Sequence, residues 1–166
     1  MHRAFAPEPV PRELLEKLVY AAGRAATARA GIRHLVVVDD PGLMATFRQV
    51  CPGFVNNAPN AVAICTDVEA AERVGGKSGI EEVGRIDAGT AAAHLTLAAP
   101  ALGLGVCLVT SWAASAVRTA LNAPPNIRPD ILMAVGYPAA TPSQAFKAPP
   151  RIVHHNAFGV PWEQGT

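Results

Sequence analysis

The adjacent histidines His154 and His155 are side chains that could bind a metal ion or transfer a proton. Successive side chains on a strand point to opposite faces, so one ring is predicted to lie inward and the other outward. The cysteines Cys51, Cys65 and Cys107 contain no C-x-x-C pair, and no histidines stand at metal-ligand spacing. Cys65 and Cys107 lie inside apolar runs and are predicted to be buried thiols. The sequence therefore predicts neither a metal site nor a disulfide framework.

The stretch most informative about chemistry is residues 86–112, IDAGTAAAHLTLAAPALGLGVCLVTSW. Its first half is apolar or small on nearly every side, and a helix that is apolar all round is buried because no face is left to be solvated. We predict such a helix over residues 87–102, with a bend at Pro100 because proline removes a backbone hydrogen bond. His94, on this helix, is predicted to be a core histidine with one hydrogen-bond partner.

Two glycines, Gly103 and Gly105, separate this helix from the apolar run 106–109, which is predicted to be a strand. Glycine after a helix allows a left-handed cap and a tight turn. A dinucleotide-binding loop is disfavoured, because this G-x-G follows a helix and lacks the third glycine. Thr110 and Ser111 directly follow this strand, so their backbone is predicted to lie at its end.

In this order the segments resemble the FMN-dependent nitroreductase family. The family pattern is a D-x-G-x-A helix, then L-G-L-G-x-C, then a short strand that lines the flavin. Further pieces follow in the family's order, including an R-x-F before the first long helix, an A-P plus strand, and a G-Y-P strand end. The matching residues are 3–5, 9–11, 13–15, 27–28, 31–33, 35–40, 58–59, 61–65, 87–91, 102–107, 108–112 and 135–138.

The resemblance implies an α+β layered fold, in which helices flank a central mixed or antiparallel sheet and one central helix is buried. It implies a single domain over residues 1–166 and a domain-swapped homodimer. It also implies FMN as cofactor, with electrons passing from NAD(P)H through the flavin to a nitroaromatic, a quinone or a similar conjugated acceptor. No catalytic acid or base is required, because the cofactor carries the chemistry and the protein supplies orientation and electrostatics.

The same resemblance assigns residues to the flavin. The backbone amides of Thr110 and Ser111 are assigned to the N5 edge, Arg3 to the pyrimidine or ribityl side, and Lys147 with Arg151 to the phosphate. A loop is assigned to a flavin held mainly by the partner subunit. The remaining predicted contacts are Leu108 and Val109 on the strand, and Thr27, Ala28 and Arg29 in that loop.

Plainer interpretations stay open for several of these residues. Arg3, Lys147 and Arg151 could be solvated surface charges, which contribute little, and Thr27 could cap a turn. The family's R-R-S opening is absent before Arg3, and Thr110 begins a pair that stands where the family commonly has two glycines. A second hypothesis is therefore a flavin-free, non-catalytic dimeric binding module with the same fold.

The composition limits the other classes of function. Half of the 166 residues are hydrophobic and 16% are charged, a balance that often accompanies a large subunit interface. A net charge of +1 gives no footprint for nucleic acid or an anionic membrane. No apolar run approaches the ~20 residues needed to span a bilayer, and no secretory segment is seen. We expect a cytoplasmic protein that binds neither nucleic acid nor membrane.

Apolar periodicity and turn residues predict the remaining elements. Residues 77–85 are predicted to be a polar loop, shorter than the lid of longer family members, which implies an open substrate pocket. Helices are predicted over residues 11–22, 41–50, 68–74, 87–102 and 114–121, and strands over 33–39, 60–66, 106–109 and 131–135, with a further candidate strand at 151–154.

Overall fold

The computed structural model describes residues 2–52, 54, 57–109, 111–139 and 152–162. Within this part of the chain, four strands form one sheet in the order β1-β2-β4-β3. Every pairing in the sheet is antiparallel, which confirms the predicted α+β class. The strands are β1 (Arg33–Val38), β2 (Asn60–Asp67), β3 (Gly105–Val109) and β4 (Ile127–Gly136).

Helices cover both faces of the sheet. Successive side chains of a strand point to opposite faces, and because both faces of this sheet are apolar, each must be buried under a layer of helices. The helices α1 and α4 share one buried cluster with Val62, Ile64 and Met133, whereas α2 and α5 share the other with Ala63 and Leu132. The helices are α1 (Arg12–Gly23), α2 (Pro41–Val50), α3 (Val68–Ser78), a π-helix (Gly79–Val83), α4 (Gly84–Ala98), a 3-10 helix (Ala99–Leu102) and α5 (Ala114–Ala120).

Aspartates cap the helices that follow β1 and β2. Asp40 accepts a hydrogen bond of 2.7 Å from the backbone N–H of Leu43 at the start of α2. Asp67 accepts one of 2.9 Å from Ala70 at the start of α3. This backbone hydrogen bond lowers the pKa of the Asp67 carboxyl. Both bonds satisfy N–H groups that have no partner within the helix.

The polar loop predicted over residues 77–85 is wrong, because this segment is helical. Gly76 kinks the chain at φ 58° and ψ −144°, and the backbone then continues through the π-helix into α4. Gly79 is required at the junction, since a Cβ there would overlap the carbonyl oxygen of Ala71. The side chains on this segment are mostly exposed and charged, which is why its sequence resembles a loop.

The helix predicted over residues 87–102 exists, but all-round burial is wrong for the single chain. Ala88, Ala91 and Leu95 are buried, whereas Ile86 is 67% exposed and Leu97 is 78% exposed. The α-helix ends at Ala98, and Pro100 lies in the following 3-10 turn instead of bending the helix. We call the exposed apolar face the α4 stripe; it consists of Ile86, Gly89, Ala93, Leu97 and Pro100.

Strand β4 is longer than the predicted 131–135 and includes Pro129. Pro129 lies opposite Cys65, next to a register shift between Ile64 and Cys65. Proline is tolerated in strands at such irregularities, because it has no N–H to donate. Because prolines before residue 131 are typical of turns, the sequence pattern predicted a strand that starts later than β4 does.

Residues 152–162 fold back on themselves and are exposed throughout. His155 N–H donates to the Val160 carbonyl at 2.9 Å, and Trp162 N–H donates to Val153 at 3.0 Å. Both His154 and His155 are exposed, so the predicted inward ring is wrong within this chain. His154 makes an isolated bridge to Pro161, and Arg151, in the candidate strand, lies outside the described residues.

Candidate functional site

The end of β3 carries several of the predicted flavin contacts. In the described sheet β3 is an edge strand, paired with β4 alone. Val109 is buried against the α2–α5 face, Leu108 is 37% exposed, and Ser111 is exposed just beyond the strand. Thr110 lies outside the described residues. Near the strand end, the exposed described residues at the sheet edge are therefore Leu108 and Ser111.

Arg3 lies beside this strand on a fixed backbone. His2 N–H donates to the Val106 carbonyl at 3.0 Å. Phe5 and Asn57 exchange two hydrogen bonds, of 2.9 Å from Phe5 N–H and 2.6 Å from the Asn57 amide. The Arg3 side chain is exposed, and it lies close enough to the Cys107 thiol for its positive charge to oppose the rise in the pKa of that thiol. The structure thus places Arg3 beside β3, close to Cys107, the residue before the predicted contacts Leu108 and Val109.

The loop that contains Thr27, Ala28 and Arg29 lies at the start of β1, on the other side of the sheet. Because β1 and β3 are the two edges of a four-stranded sheet, about 14 Å separates their axes. One chain therefore does not bring this loop together with the residues on β3.

Asp87 holds this loop. The Thr27 hydroxyl donates to the Asp87 carboxylate at 2.5 Å, and the Ala28 N–H donates to it at 3.1 Å. Asp87 is only 5% exposed, whereas Thr27, Ala28 and Arg29 are exposed. The Thr27 hydroxyl and the Ala28 amide are consequently occupied by a protein carboxylate.

The Arg33 side chain also stabilises this loop by hydrogen bonds to its backbone. Its guanidinium donates to the Asp87 backbone carbonyl at 3.2 Å and to the Ala25 carbonyl at 2.9 Å. It also reaches the carbonyl oxygens of Gly23 and Ala26. These roles were not predicted from the sequence, which offers one signal of them: Asp87 is the one acidic residue of α4.

A separate polar network links β2, β4 and the π-helix. The Thr66 hydroxyl donates to Asp130 at 2.5 Å, and Arg128 pairs with the other oxygen of Asp130 at 2.7 Å. Arg128 also donates to the Ile80 carbonyl at 3.0 Å. The Asp130 side chain is 6% exposed and that of Arg128 is 26% exposed. Gly84 fits against Thr66, because a Cβ at Gly84 would come within 2.8 Å of it.

Other site predictions have different outcomes. Lys147 and Arg151, assigned to the phosphate, lie outside the described residues. Among the residues that the structure describes, no three histidine, cysteine or acidic side chains cluster as metal ligands would. Over the same residues, every helix is too short or too polar to cross a bilayer.

The three cysteines are buried and free, as predicted for Cys65 and Cys107. Burial raises the pKa of the Cys51 thiol to about 11, and burial with the nearby Asp130 raises that of Cys65 to about 12. Burial also raises the pKa of Cys107, although Arg3 opposes the shift. Thiolates are the nucleophilic form, so these thiols are poor nucleophiles at neutral pH.

We therefore expect native protein at pH 7.5 to resist alkylation by iodoacetamide. The pKa values of Cys51 and Cys65 lie well above this pH, so each thiolate is a very small fraction of the thiol. Mass spectrometry of protein treated before and after denaturation in urea measures the difference. Rapid modification of any of the three residues in folded protein would contradict this expectation.

The sequence profile of the nitroreductase family matches residues 34–137. The chain belongs to the nitroreductase family, and it is therefore an oxidoreductase. An FMN-dependent nitroreductase from Clostridium difficile R20291 is similar in fold, with 25% identity, a TM-score of 0.78, and coverage of 95% of this chain and 94% of that one.

Two further solved structures share the fold. A Parabacteroides distasonis protein, provisionally assigned as an NADH dehydrogenase/NAD(P)H nitroreductase, is 24% identical, with a TM-score of 0.77 and coverage of 95% of this chain and 92% of that one. The NfrA1 nitroreductase of Bacillus subtilis is 23% identical, with a TM-score of 0.78 and coverage of 96% of this chain and 71% of that one. At 24% and 23% identity, the similarity to these two proteins shows a shared fold.

Proposed function

We propose that the protein is an FMN-dependent oxidoreductase that takes electrons from NAD(P)H and passes them to a nitroaromatic, a quinone or a similar conjugated acceptor. The observation that carries this proposal is Arg3 beside β3, with Leu108 and Ser111 exposed near the end of that strand, in a chain of the nitroreductase family. The FMN dependence of the similar C. difficile protein supports the choice of flavin. The proposal treats residues 1–166 as one cytoplasmic domain.

The residues present suit a flavin. Arg3 supplies an exposed guanidinium on a fixed backbone, suited to the pyrimidine or ribityl oxygens. Thr110 and Ser111 supply backbone N–H groups after β3, and Lys147 with Arg151 supplies positive charge for the phosphate. Bound FMN would supply the transfer of hydride or electrons, so the chain needs only to bind and orient it and its partners.

We propose further that the active form is a domain-swapped homodimer. Three features of the described residues support a second copy: the exposed apolar α4 stripe, the exposed segment 152–162 with Phe158 94% exposed, and the distance between the Thr27–Arg29 loop and β3. A second copy could cover the first two and bring its own loop to the β3 residues of this chain. Obligate interfaces of this kind bury more than ~2,000 Å².

Purified protein tests the proposed function directly. We expect bound flavin, visible by its absorbance, which NADH or NADPH bleaches without air and an added nitroaromatic or quinone restores. Initial rates with each nucleotide and each acceptor identify the preferred pair. A folded dimer that remains colourless after incubation with FMN would contradict the proposal and support the flavin-free binding module.

The phosphate contacts are tested by comparing FMN with riboflavin, which lacks the phosphate. We expect Lys147→Ala or Arg151→Ala to weaken FMN binding by ~1.5–3 kcal/mol, the range for a hydrogen bond to a charged group. Riboflavin should bind these variants as it binds wild type. Arg3→Ala is the matched comparison, because it is expected to weaken both ligands. Equal losses for both ligands in the lysine and arginine variants would refute the phosphate assignment.

A further inference from the structure

Asp87 is a buried carboxylate that accepts hydrogen bonds from an exposed loop. Its donors are the Thr27 hydroxyl and the Ala28 N–H, both neutral groups on a segment exposed over residues 26–31. Among the described residues the ion pairs are Arg12–Glu16, Lys77–Glu81 and Arg128–Asp130, so none involves Asp87. A buried carboxylate is costly unless it is hydrogen-bonded. Asp87 therefore favours the one loop conformation that supplies both donors.

The Thr27 hydroxyl lies between the Asp87 carboxylate and the backbone of Arg29. The Thr27 hydroxyl, which donates to Asp87, also lies 3.2 Å from the Arg29 carbonyl oxygen. On the other side of the loop, Arg33 binds the Ala25 carbonyl and the backbone carbonyl of Asp87 itself. The loop backbone is thus held at Ala25 and at Ala28, which directly precedes Arg29, while the Arg29 side chain stays exposed.

We infer that Asp87 is a positioning residue that fixes the loop of residues 25–31 so that Arg29 is presented to the flavin. This inference rests on the proposed function, in which the loop contacts a flavin held mainly by the partner subunit. Asp87 does not touch the flavin in this arrangement. It acts through Thr27 and the loop backbone, and it lowers the conformational cost of binding by ordering the loop beforehand.

Loop order is measured first, without any ligand. In Asp87→Ala protein we expect the backbone amide of Ala28, which donates to Asp87, to exchange with deuterium at least about tenfold faster, because its acceptor is lost. Amides of β2 and β4 should exchange as in wild type. Thr27→Ala should resemble Asp87→Ala, and Thr27→Ser, which keeps the hydroxyl, should resemble wild type. Unchanged exchange in the loop of Asp87→Ala would overturn the inference.

FMN affinity is then measured in a double-mutant cycle. We expect Asp87→Ala to weaken FMN binding about tenfold when Arg29 is present and less than about twofold in an Arg29→Ala background, since coupled residues are not additive. Asp40→Ala, which removes a helix-capping carboxylate from the opposite face of the sheet, should leave FMN affinity within about twofold of wild type.

The two hypotheses fail in different ways. A tenfold loss that is the same in both backgrounds, or a loss in Asp40→Ala as large as that in Asp87→Ala, would overturn the positioning role. A wild-type protein that binds no FMN would overturn the proposed function and the ligand named here. In that event the exchange measurement still decides whether Asp87 holds the loop.

Discussion

Replacing Leu97 with aspartate is expected to convert the proposed dimer into monomers that retain no flavin. Leu97 is 78% exposed in the single chain and is the most exposed large side chain of the α4 stripe. In a symmetric dimer the change occurs twice. Each copy loses about 1.5–3 kcal/mol of apolar burial and places a charge against an apolar surface. We expect the dimer dissociation constant to rise by at least about a thousandfold.

Sedimentation velocity at micromolar concentration, with flavin absorbance recorded on the same sample, measures both effects. Val74→Asp is the matched control, because Val74 is an exposed apolar residue on a different helix, α3. This control should remain a dimer that binds flavin. A wild type that sediments as a folded monomer would refute the dimer. A Leu97→Asp variant that remains dimeric would show that the subunits meet elsewhere.

Replacing Asp130 with alanine is expected to lower the free energy of unfolding by about 3 kcal/mol or more, because it leaves the largely buried Arg128 without its counter-charge. The same change removes the acceptor of the Thr66 hydroxyl, which is 1% exposed. Urea denaturation followed by circular dichroism measures the loss.

Two further variants show how much of the loss in Asp130→Ala comes from the unpaired charge of Arg128. Asp40→Ala removes an exposed helix cap and should cost about 1 kcal/mol. Arg128→Met with Asp130→Leu removes both charges together and should recover part of the stability lost in Asp130→Ala, since no uncompensated buried charge remains. A loss in Asp130→Ala no larger than that in Asp40→Ala would show that this ion pair contributes little.

The regular elements were largely predictable from the sequence, because local signals mark them. Pro11 and Gly23 delimit α1, and the Asp40–Pro41 pair gives α2 a cap and a first turn. The segment of residues 77–85 was misassigned because its glycines and charged side chains are also typical of loops. Its helical state depends on contacts distant in sequence, such as the bond from Arg128 to the Ile80 carbonyl.

The candidate site was less predictable than the fold. The order of motifs picked out β3 and Arg3, which lie beside each other in the structure. It did not show that the Thr27–Arg29 loop lies at the opposite sheet edge. The role of Asp87 was also missed. A carboxylate's partners depend on which loop packs against its helix, and Thr27 is 60 residues away along the chain.

Helix α4 carries both Asp87 and, one residue earlier, Ile86 of the α4 stripe. The surface proposed for the second copy and the anchor of the loop therefore share one helical turn. Ligand binding and subunit association are then thermodynamically linked, and the linkage is reciprocal: FMN should tighten the dimer by the same factor by which dimer formation tightens FMN. FMN affinity should accordingly depend on protein concentration, and dilution alone should release the cofactor.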